Sequence, residues 1–484
     1  MLKQDHPATN DDSPGQCPPL ADVETEQAAF LAAYPDYAAT RAIDDLRASE
    51  FSRLDQQKHV YLDYTGGSQY ADRQLEAHMA LLKTHVLGNP HSINPTSHAA
   101  TELTEQVRAA VLAFFNASPD EYEVVFTANA SGALKLVGES YPFGDNGQYL
   151  LTYDNHNSVN GIREFARRKG APIHYLPLEA PELRVNPARL REALGRAIAG
   201  GNNLFAFPAQ SNFSGVQHPL EWVAQAQAAG WDVLLDAAAF TPTNRLDLSV
   251  VQPDYVDLSF YKLFGYPTGV GALIAKKAAL AKLQRPWFAG GTVRWASVNT
   301  DEYVFAGGAA MFEEGTVSYL TLPAVEIGLN LLREVGIDTI HTRVMALTDW
   351  LLRQLTALRH SNGRPLVQVY GPTDTTMRGG TVALNLMDAH GQIVNHFVIS
   401  HYANEALISL RTGAFCNPGT GELALQLASD DHLECPKEDE ATLRSDFNLV
   451  LDPRNMGALR VSLGLVSNFA DVYAFVAFVR RWLG

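Results

Sequence analysis

From about residue 120 to residue 277 short apolar runs alternate with amphipathic ones, and no other feature of the sequence narrows the possible folds so far. EVVFTA reads as a strand and SGALKLVGES as the helix that follows it. YLLTY, the helix SVNGIREFARRKG, the strand PIHYLPL and the helix NPARLREALGRAI repeat the unit. NLFAFPA, the helix PLEWVAQAQAAG and the strand WDVLLDAAAF continue it, and YVDLSF and GVGALIAKK close it as two more strands. A strand that returns to its sheet through a helix returns in parallel, so this alternation predicts a mostly parallel sheet with helices on both faces. Ligands of such sheets bind beyond the carboxyl ends of the strands, which makes the residues just after each strand the first candidates for a site.

Past residue 320 the pattern changes. A helix through TLPAVEIGLNLLREVG leads to another in MALTDWLLRQLTALRH, followed by the strands VQVYG, GTVALNLM, ALISLRTG and GALRVSLG and a closing helix, ADVYAFVAFVRRWL. This predicts a smaller α+β domain over 321–484, beside a large α/β domain over 21–320 that includes the N-terminal segment. A chain of 484 residues is long enough for both. The first 20 residues are polar and Pro-containing, without the apolar centre of a signal peptide, and are expected to be a disordered tail. The polar run DDHLECPKEDEATLRSDFN is expected to be a surface insertion. No apolar run reaches the length of a membrane span, so the cytoplasm is the expected location, with no membrane partner. A net charge of −16 argues against a nucleic-acid partner, because a phosphate-binding surface needs a basic excess. Three cysteines with no CxxC pair give neither a disulfide framework nor a zinc site, and no metal is expected.

The residues after the strands form a pattern of their own. Asp236 ends WDVLLD, where an acid is expensive without a cationic partner. Lys262 ends YVDLSFYK, about one strand–loop–strand unit later. FTANASG sets Ala130 and Ser131 where a strand turns into a helix, a place suited to a phosphate. His156 follows YLLTYD and could face a flat ring. Singly, each has an ordinary reading: a turn-forming Asp, a solvated Lys, a surface His, a Gly/Ser turn. Together they are the parts that pyridoxal 5′-phosphate (PLP) chemistry needs, namely a Schiff-base lysine, a carboxylate for the pyridine nitrogen, a stacking ring and a phosphate cradle.

The run SFYKLFGYPTGVGALI resembles the lysine segment of class V aminotransferase-like, fold-type I PLP enzymes. Within that group the likeness is to cysteine desulfurases and to the PLP domain of molybdenum cofactor sulfurases. GNPHS, EQVRAAVLAFFNASPDEYEVVFTANASGALKLV, FEEGTVSY and RTGAFCNPG carry the same likeness, over about 58–484. The resemblance implies a large sheet domain of the seven-stranded type and a smaller C-terminal domain. It implies that Lys262 carries PLP and moves protons, that Asp236 pairs with the ring nitrogen, and that His156 stacks on the ring. Ala130, Ser131 and Ser259 would hold the phosphate, together with Thr316 of a second subunit in a homodimer. Asn212 would face cofactor or substrate, and Arg460 would grip the substrate carboxylate through two parallel hydrogen bonds.

RTGAFC further resembles the segment in which cysteine desulfurases place the thiol that takes sulfur from the substrate. It implies that Cys416 becomes a persulfide, with Arg411 nearby to favour the thiolate, and that L-cysteine leaves as alanine while a protein or small molecule accepts the sulfur. The sequence departs from desulfurases at two places, with Ala239 where a glutamine is common and Tyr261 where a histidine often precedes the lysine. A free cysteine also has a bland reading as a small buried hydrophobe. Another class V reaction on an amino acid therefore stays open: C–S lysis by β-elimination, transamination or epimerisation. A binding or scaffold protein without activity is disfavoured by Lys262, Asp236 and Arg460 occurring together.

Overall fold

The computed structural model describes residues 21–426 and 457–484. The tail expected over the first 20 residues, the polar insertion, Cys17 and Cys435 lie outside the described residues.

The alternation gives a seven-stranded sheet: β1 (Tyr122–Thr127), β2 (Gly147–Thr152), β3 (Ile173–Leu176), β4 (Asn202–Pro208), β5 (Asp232–Asp236), β6 (Tyr255–Ser259) and β7 (Gly271–Lys276), in the order β1-β7-β6-β5-β4-β2-β3. The pairs from β6 through β3 are parallel. β7 runs antiparallel to both β6 and β1, because the link 260–270, one helical turn and a loop, is too short for a crossover from β6. Strands buried on both faces should read as nearly unbroken apolar runs, and β2, β6 and most of β4 and β7 are buried throughout. One face packs Leu151, Ala206, Leu234, Tyr255 and Leu273 under Leu134 and Ile162, while the other packs Phe205, Phe207, Val233, Leu235 and Leu258 into a second core.

Four helices place the site. α1 (Ala130–Ser140) follows β1, α2 (Asn157–Asn160) follows β2 and α3 (Phe260–Phe264) follows β6. α4 (Pro323–Val335) lies so close behind α3 that a Cβ on Gly328 would stand 2.1 Å from the Phe264 ring, so only glycine admits this packing. The predicted helix SVNGIREFARRKG is two short helices, Asn157–Asn160 and Ile162–Arg168, with Gly161 between them.

The C-terminal part holds a second sheet of β8 (Val367–Tyr370), β9 (Thr381–Leu386), β10 (Arg411–Gly413) and β11 (Ala458–Ser462), in the order β8-β9-β11-β10. ALISLRTG divides between β10 and a two-residue strand, Ile408–Ser409, that pairs in parallel with Val60–Tyr61. The segment before residue 60, grouped by sequence with the large sheet, packs on the C-terminal part. Phe30 touches Trp350 and Phe469, and Arg47 meets Asp471 at 2.5 Å. No described helix is long and apolar enough to cross a membrane.

Candidate active site

A cavity of about 390 Å³ opens at the carboxyl ends of β4, β5 and β6. Ala130, Ser131, His156, Asn212, Asp236, Ser259 and Lys262 line it, so seven of the residues singled out in the sequence converge on one space.

At its phosphate end, Asn129 caps α1, with Oδ1 accepting from the Gly132 amide at 2.9 Å. The Ala130 amide donates to Ser259 Oγ at 3.0 Å, and Ser131 Oγ lies 2.6 Å from Ser158 Oγ. Hydroxyls from three elements thus gather at the N-terminus of an 11-residue helix, where backbone N–H groups and the helix dipole favour an anion. A Cβ on Gly271 would stand 2.5 Å from the Asn129 backbone, so bare backbone is what lets β7 pass under this turn.

At the other end, Asp236 Oδ1 accepts from the Ala238 amide at 3.0 Å. Lys262 sits on the one-turn helix α3 rather than at the end of a strand. The side chain reaches the cavity but is held among enough protein that lost hydration pushes its ammonium below the usual lysine range, against the pull of Asp236. Sequence reading missed Asp257, which lines the same cavity. Its signal was an acid in the middle of the apolar run YVDLSF. His156 caps α2, its Nδ1 accepting from the Ser158 amide at 3.1 Å. Burial first, and then Lys262 and Arg460, lower its pKa, while Asp236 opposes them. An imidazole that accepts at Nδ1 and resists protonation is a neutral ring.

Arg460 stands next to this cavity rather than in its lining. Its guanidinium donates to Asp63 Oδ1 at 3.0 Å and to the Asn212 carbonyl at 2.9 Å, and lies 4.9 Å from the centre of the Phe415 ring. Its Nε is buried and unpartnered, an open donor where a carboxylate would be gripped. Burial pushes its pKa down to about 10, so it remains a cation at neutral pH. Arg411 donates to Asp63 Oδ2 at 2.7 Å. Asp63 therefore joins the two arginines across 348 residues of sequence to Arg411 and 397 to Arg460, a separation that pattern reading does not bridge.

Asn212 lines the cavity, but its side chain is engaged with the cysteine segment. Nδ2 donates to the Phe415 carbonyl at 2.7 Å, and Oδ1 accepts from Asn417 at 2.9 Å. The amide of Asn157, next to His156, donates to the Cys416 carbonyl at 2.7 Å. Phe415 and Cys416 both have φ of 56°, a left-handed conformation that disfavours any residue with a Cβ by about 1–2 kcal/mol. These hydrogen bonds hold that strained pair in place, and strain over-determined in this manner is a mark of functional segments. Cys416 is a free, exposed thiol near Arg411 and Arg460. Cys416 is not in the cavity lining.

Thr316 stands apart from the other phosphate candidates. It is exposed, accepts from Asn89 Nδ2 at 3.1 Å, and lines a neighbouring cavity of about 340 Å³ that shares Ala128 and Gly269 with the first.

The parts fit PLP: a hydroxyl-lined helix start for the phosphate, a buried acid for the ring nitrogen, a neutral imidazole for the ring face and an amine between them. No group of His, Cys, Asp and Glu suited to a metal ion occurs among the described residues.

Comparison with known proteins agrees with this geometry. The chain belongs to the aminotransferase class-V family, whose profile matches residues 60–475. It is 36% identical to a molybdenum cofactor sulfurase of Solanum lycopersicum, over 94% of this chain and 60% of that protein. With the Bos taurus molybdenum cofactor sulfurase the identity is 34%, over 90% of this chain and 51% of that one. The chain thus spans between half and three fifths of those relatives. Among solved structures it resembles the apo cysteine desulfurase of Thermococcus onnurineus, with a TM-score of 0.73 at 21% identity over 90% of this chain and 96% of the other. It also resembles a cystine C–S lyase captured with cysteine persulfide, with a TM-score of 0.66 at 19% identity over 88% and 98%. At these identities the likeness concerns the fold.

Proposed function

We propose that this member of the aminotransferase class-V family is a PLP-dependent cysteine desulfurase-like sulfurtransferase. Lys262 carries the cofactor, Arg460 binds the carboxylate of L-cysteine, and Cys416 takes the sulfur. Bound PLP supplies a ring that accepts the electron pair left at the substrate α-carbon when its proton is removed.

The chain's residues account for the other steps. Asp236, a buried acid in the cavity lining, would hold the ring nitrogen protonated. Lys262, its basicity lowered by burial, takes the α-proton and returns it. The Cys416 thiolate attacks the substrate sulfur. An S–S bond forms, the C–S bond breaks with its pair going to the β-carbon, and protonation there gives alanine. The sulfur moves on to a protein or small-molecule acceptor. The observation that carries this reading is the exposed Cys416, held in a strained turn by Asn157 and by Asn212 through its neighbour Phe415, with Arg411 and Arg460 close by.

Equal yields of alanine and sulfur from L-cysteine, with one added sulfur on the Cys416 peptide by mass spectrometry, are the expected result. Cys416→Ser should keep the cofactor spectrum and cysteine binding but form no persulfide, because an alcohol stays protonated near neutral pH and attacks sulfur poorly. A specific observation favours a second reading, C–S lysis by β-elimination: a cystine lyase shares the fold, and Cys416 is not in the cavity lining. Pyruvate and ammonia as products, with a Cys416→Ser variant of full activity, would establish it instead.

The same proposal includes a cytoplasmic homodimer in which Thr316 of one subunit completes the phosphate site of the other. Its support is the exposed position of Thr316 in a cavity adjoining the cofactor's.

A further inference from the structure

β6 is buried along its length, yet its middle residue is an acid. Asp257 is fully enclosed, and neither carboxyl oxygen has a hydrogen-bonding donor. In the parallel pairing of β5 with β6 it stands directly opposite Asp236, and both line the cavity that Lys262 enters. On its other flank β7 sets Leu273 against it, and α1 turns Leu134 towards the same cavity. The charged groups that face Asp257 are therefore Asp236 and Lys262.

Two adjacent carboxyls removed from water cannot both be ionised, since their repulsion is poorly screened. Asp236 has a backbone donor at 3.0 Å and is the stronger influence on Lys262, whereas Asp257 lacks a donor. We propose that Asp257 is a positioning residue: a protonated carboxylic acid whose O–H donates to Asp236, so that Asp236 keeps the charge that would pair with the cofactor's ring nitrogen. Both oxygens lack a donor because the hydrogen bond runs outward from Asp257. The pair then carries one negative charge, matched by one cation: Lys262 in the free protein, the ring nitrogen in the loaded one. Burial first, and the Asp236 charge second, hold the Asp257 carboxyl well above the usual carboxylate range, in agreement with this assignment.

The inference rests on the reading of Asp236 as the carboxylate for the ring nitrogen, and its test separates the two. Asp257→Asn keeps the shape and a donor but cannot titrate, and Asp257→Val has no donor. A carboxyl whose pKa is raised by folding loses stability as pH rises, because above about pH 4 the unfolded chain releases a proton that the folded one retains. In PLP-loaded protein, the folding constant of Asp257→Asn relative to the wild type should therefore rise with pH, by up to about tenfold per unit between about pH 5 and about pH 8. Infrared spectra of the wild type should show the carbonyl stretch of a protonated acid, absent in Asp257→Asn. The pH midpoint of the cofactor's visible band should hold in Asp257→Asn. In Asp257→Val it should move up by about one unit, because an Asp236 without its donor stabilises the nearby cation more strongly.

A flat or falling stability ratio, or no acid band, would mean that Asp257 is ionised and the proposal wrong. Unmoved cofactor midpoints in both variants would reduce Asp257 to a structural acid that does not act through Asp236. If neither variant folds, Asp257→Ser, a smaller side chain that cannot titrate, takes their place in the same infrared comparison with the wild type. Failure to trap pyridoxyl on Lys262 would remove the cofactor reading alone, since the infrared result stands without it.

Discussion

At the scale of single residues, the site divides into parts that local sequence reveals and parts that it does not. Asp236 and Lys262 were legible because each ends an apolar run, where a charged group needs a reason to be there. Asp63 was not, since its meaning comes from Arg411 and Arg460, which the fold brings to it from the far end of the chain. Lys262→Ala should abolish the pyridoxyl adduct that borohydride fixes in the wild type, and peptide mapping that finds the adduct on another lysine would displace Lys262 from its role. Arg460→Ala should act on a different quantity. Its open Nε and the fork geometry suit a substrate carboxylate, and the loss of a buried charged pair amounts to about 2–5 kcal/mol. A rise in KM with an unchanged cofactor spectrum is expected. Arg460→Lys should recover little, because a point charge does not reproduce two parallel donors. Steady-state kinetics with L-cysteine over a range of concentrations measures both.

At the scale of elements, period and turn residues gave the order of strands and helices, and the departures have physical causes. Lys262 lies on a helix turn because FYKLF can close one turn against α4, a contact that depends on Gly328 from a distant segment. β7 reverses direction because its link to β6 is short, whereas apolar composition alone does not distinguish a parallel strand from an antiparallel one. ALISLRTG split because its first half pairs with Val60–Tyr61, which sequence had assigned to no strand. The most sensitive join between elements is where β7 passes under the start of α1. In Gly271→Ala the new methyl would meet the Asn129 backbone at 2.5 Å and the Leu258 carbonyl at 2.7 Å, so the cap of the phosphate-binding helix must shift. Overpacking of this kind destabilises by about 1–3 kcal/mol. PLP should also dissociate faster from this variant, while Gly144→Ala, with nothing within 4 Å of the new methyl, should behave as wild type in both thermal melts and cofactor release.

At the scale of the whole molecule, the chain closes on itself: its N-terminal helices rest on its last helix, and the strand Val60–Tyr61 joins Ile408–Ser409. This brings Asp63 to the site, so the junction serves the chemistry as well as stability. Arg343, on the long helix Ile337–Ala357, is its most enclosed polar link. Nε donates to the Ser467 carbonyl at 2.7 Å, Nη1 donates to Thr40 Oγ1 at 3.0 Å, Nη2 pairs with Asp44, and the guanidinium lies 4.6 Å from the centre of the Tyr37 ring. Asp44 is half exposed, so its ion pair contributes little once water screens it. The larger loss in Arg343→Met is the stranding of the buried Ser467 carbonyl, at about 1–3 kcal/mol, while the Thr40 hydroxyl keeps its bond to the Tyr37 carbonyl and the methionine fills most of the volume. We expect a destabilisation of about 2 kcal/mol in denaturant unfolding. Because Arg343 touches none of the cavity residues, the cofactor band should be unchanged in the folded variant, while protease should cut the segment before residue 60 sooner than in the wild type. If the cofactor band shifts together with the loss of stability, the junction and the cavity are coupled through Asp63, and the two parts of the molecule cannot be treated as independent.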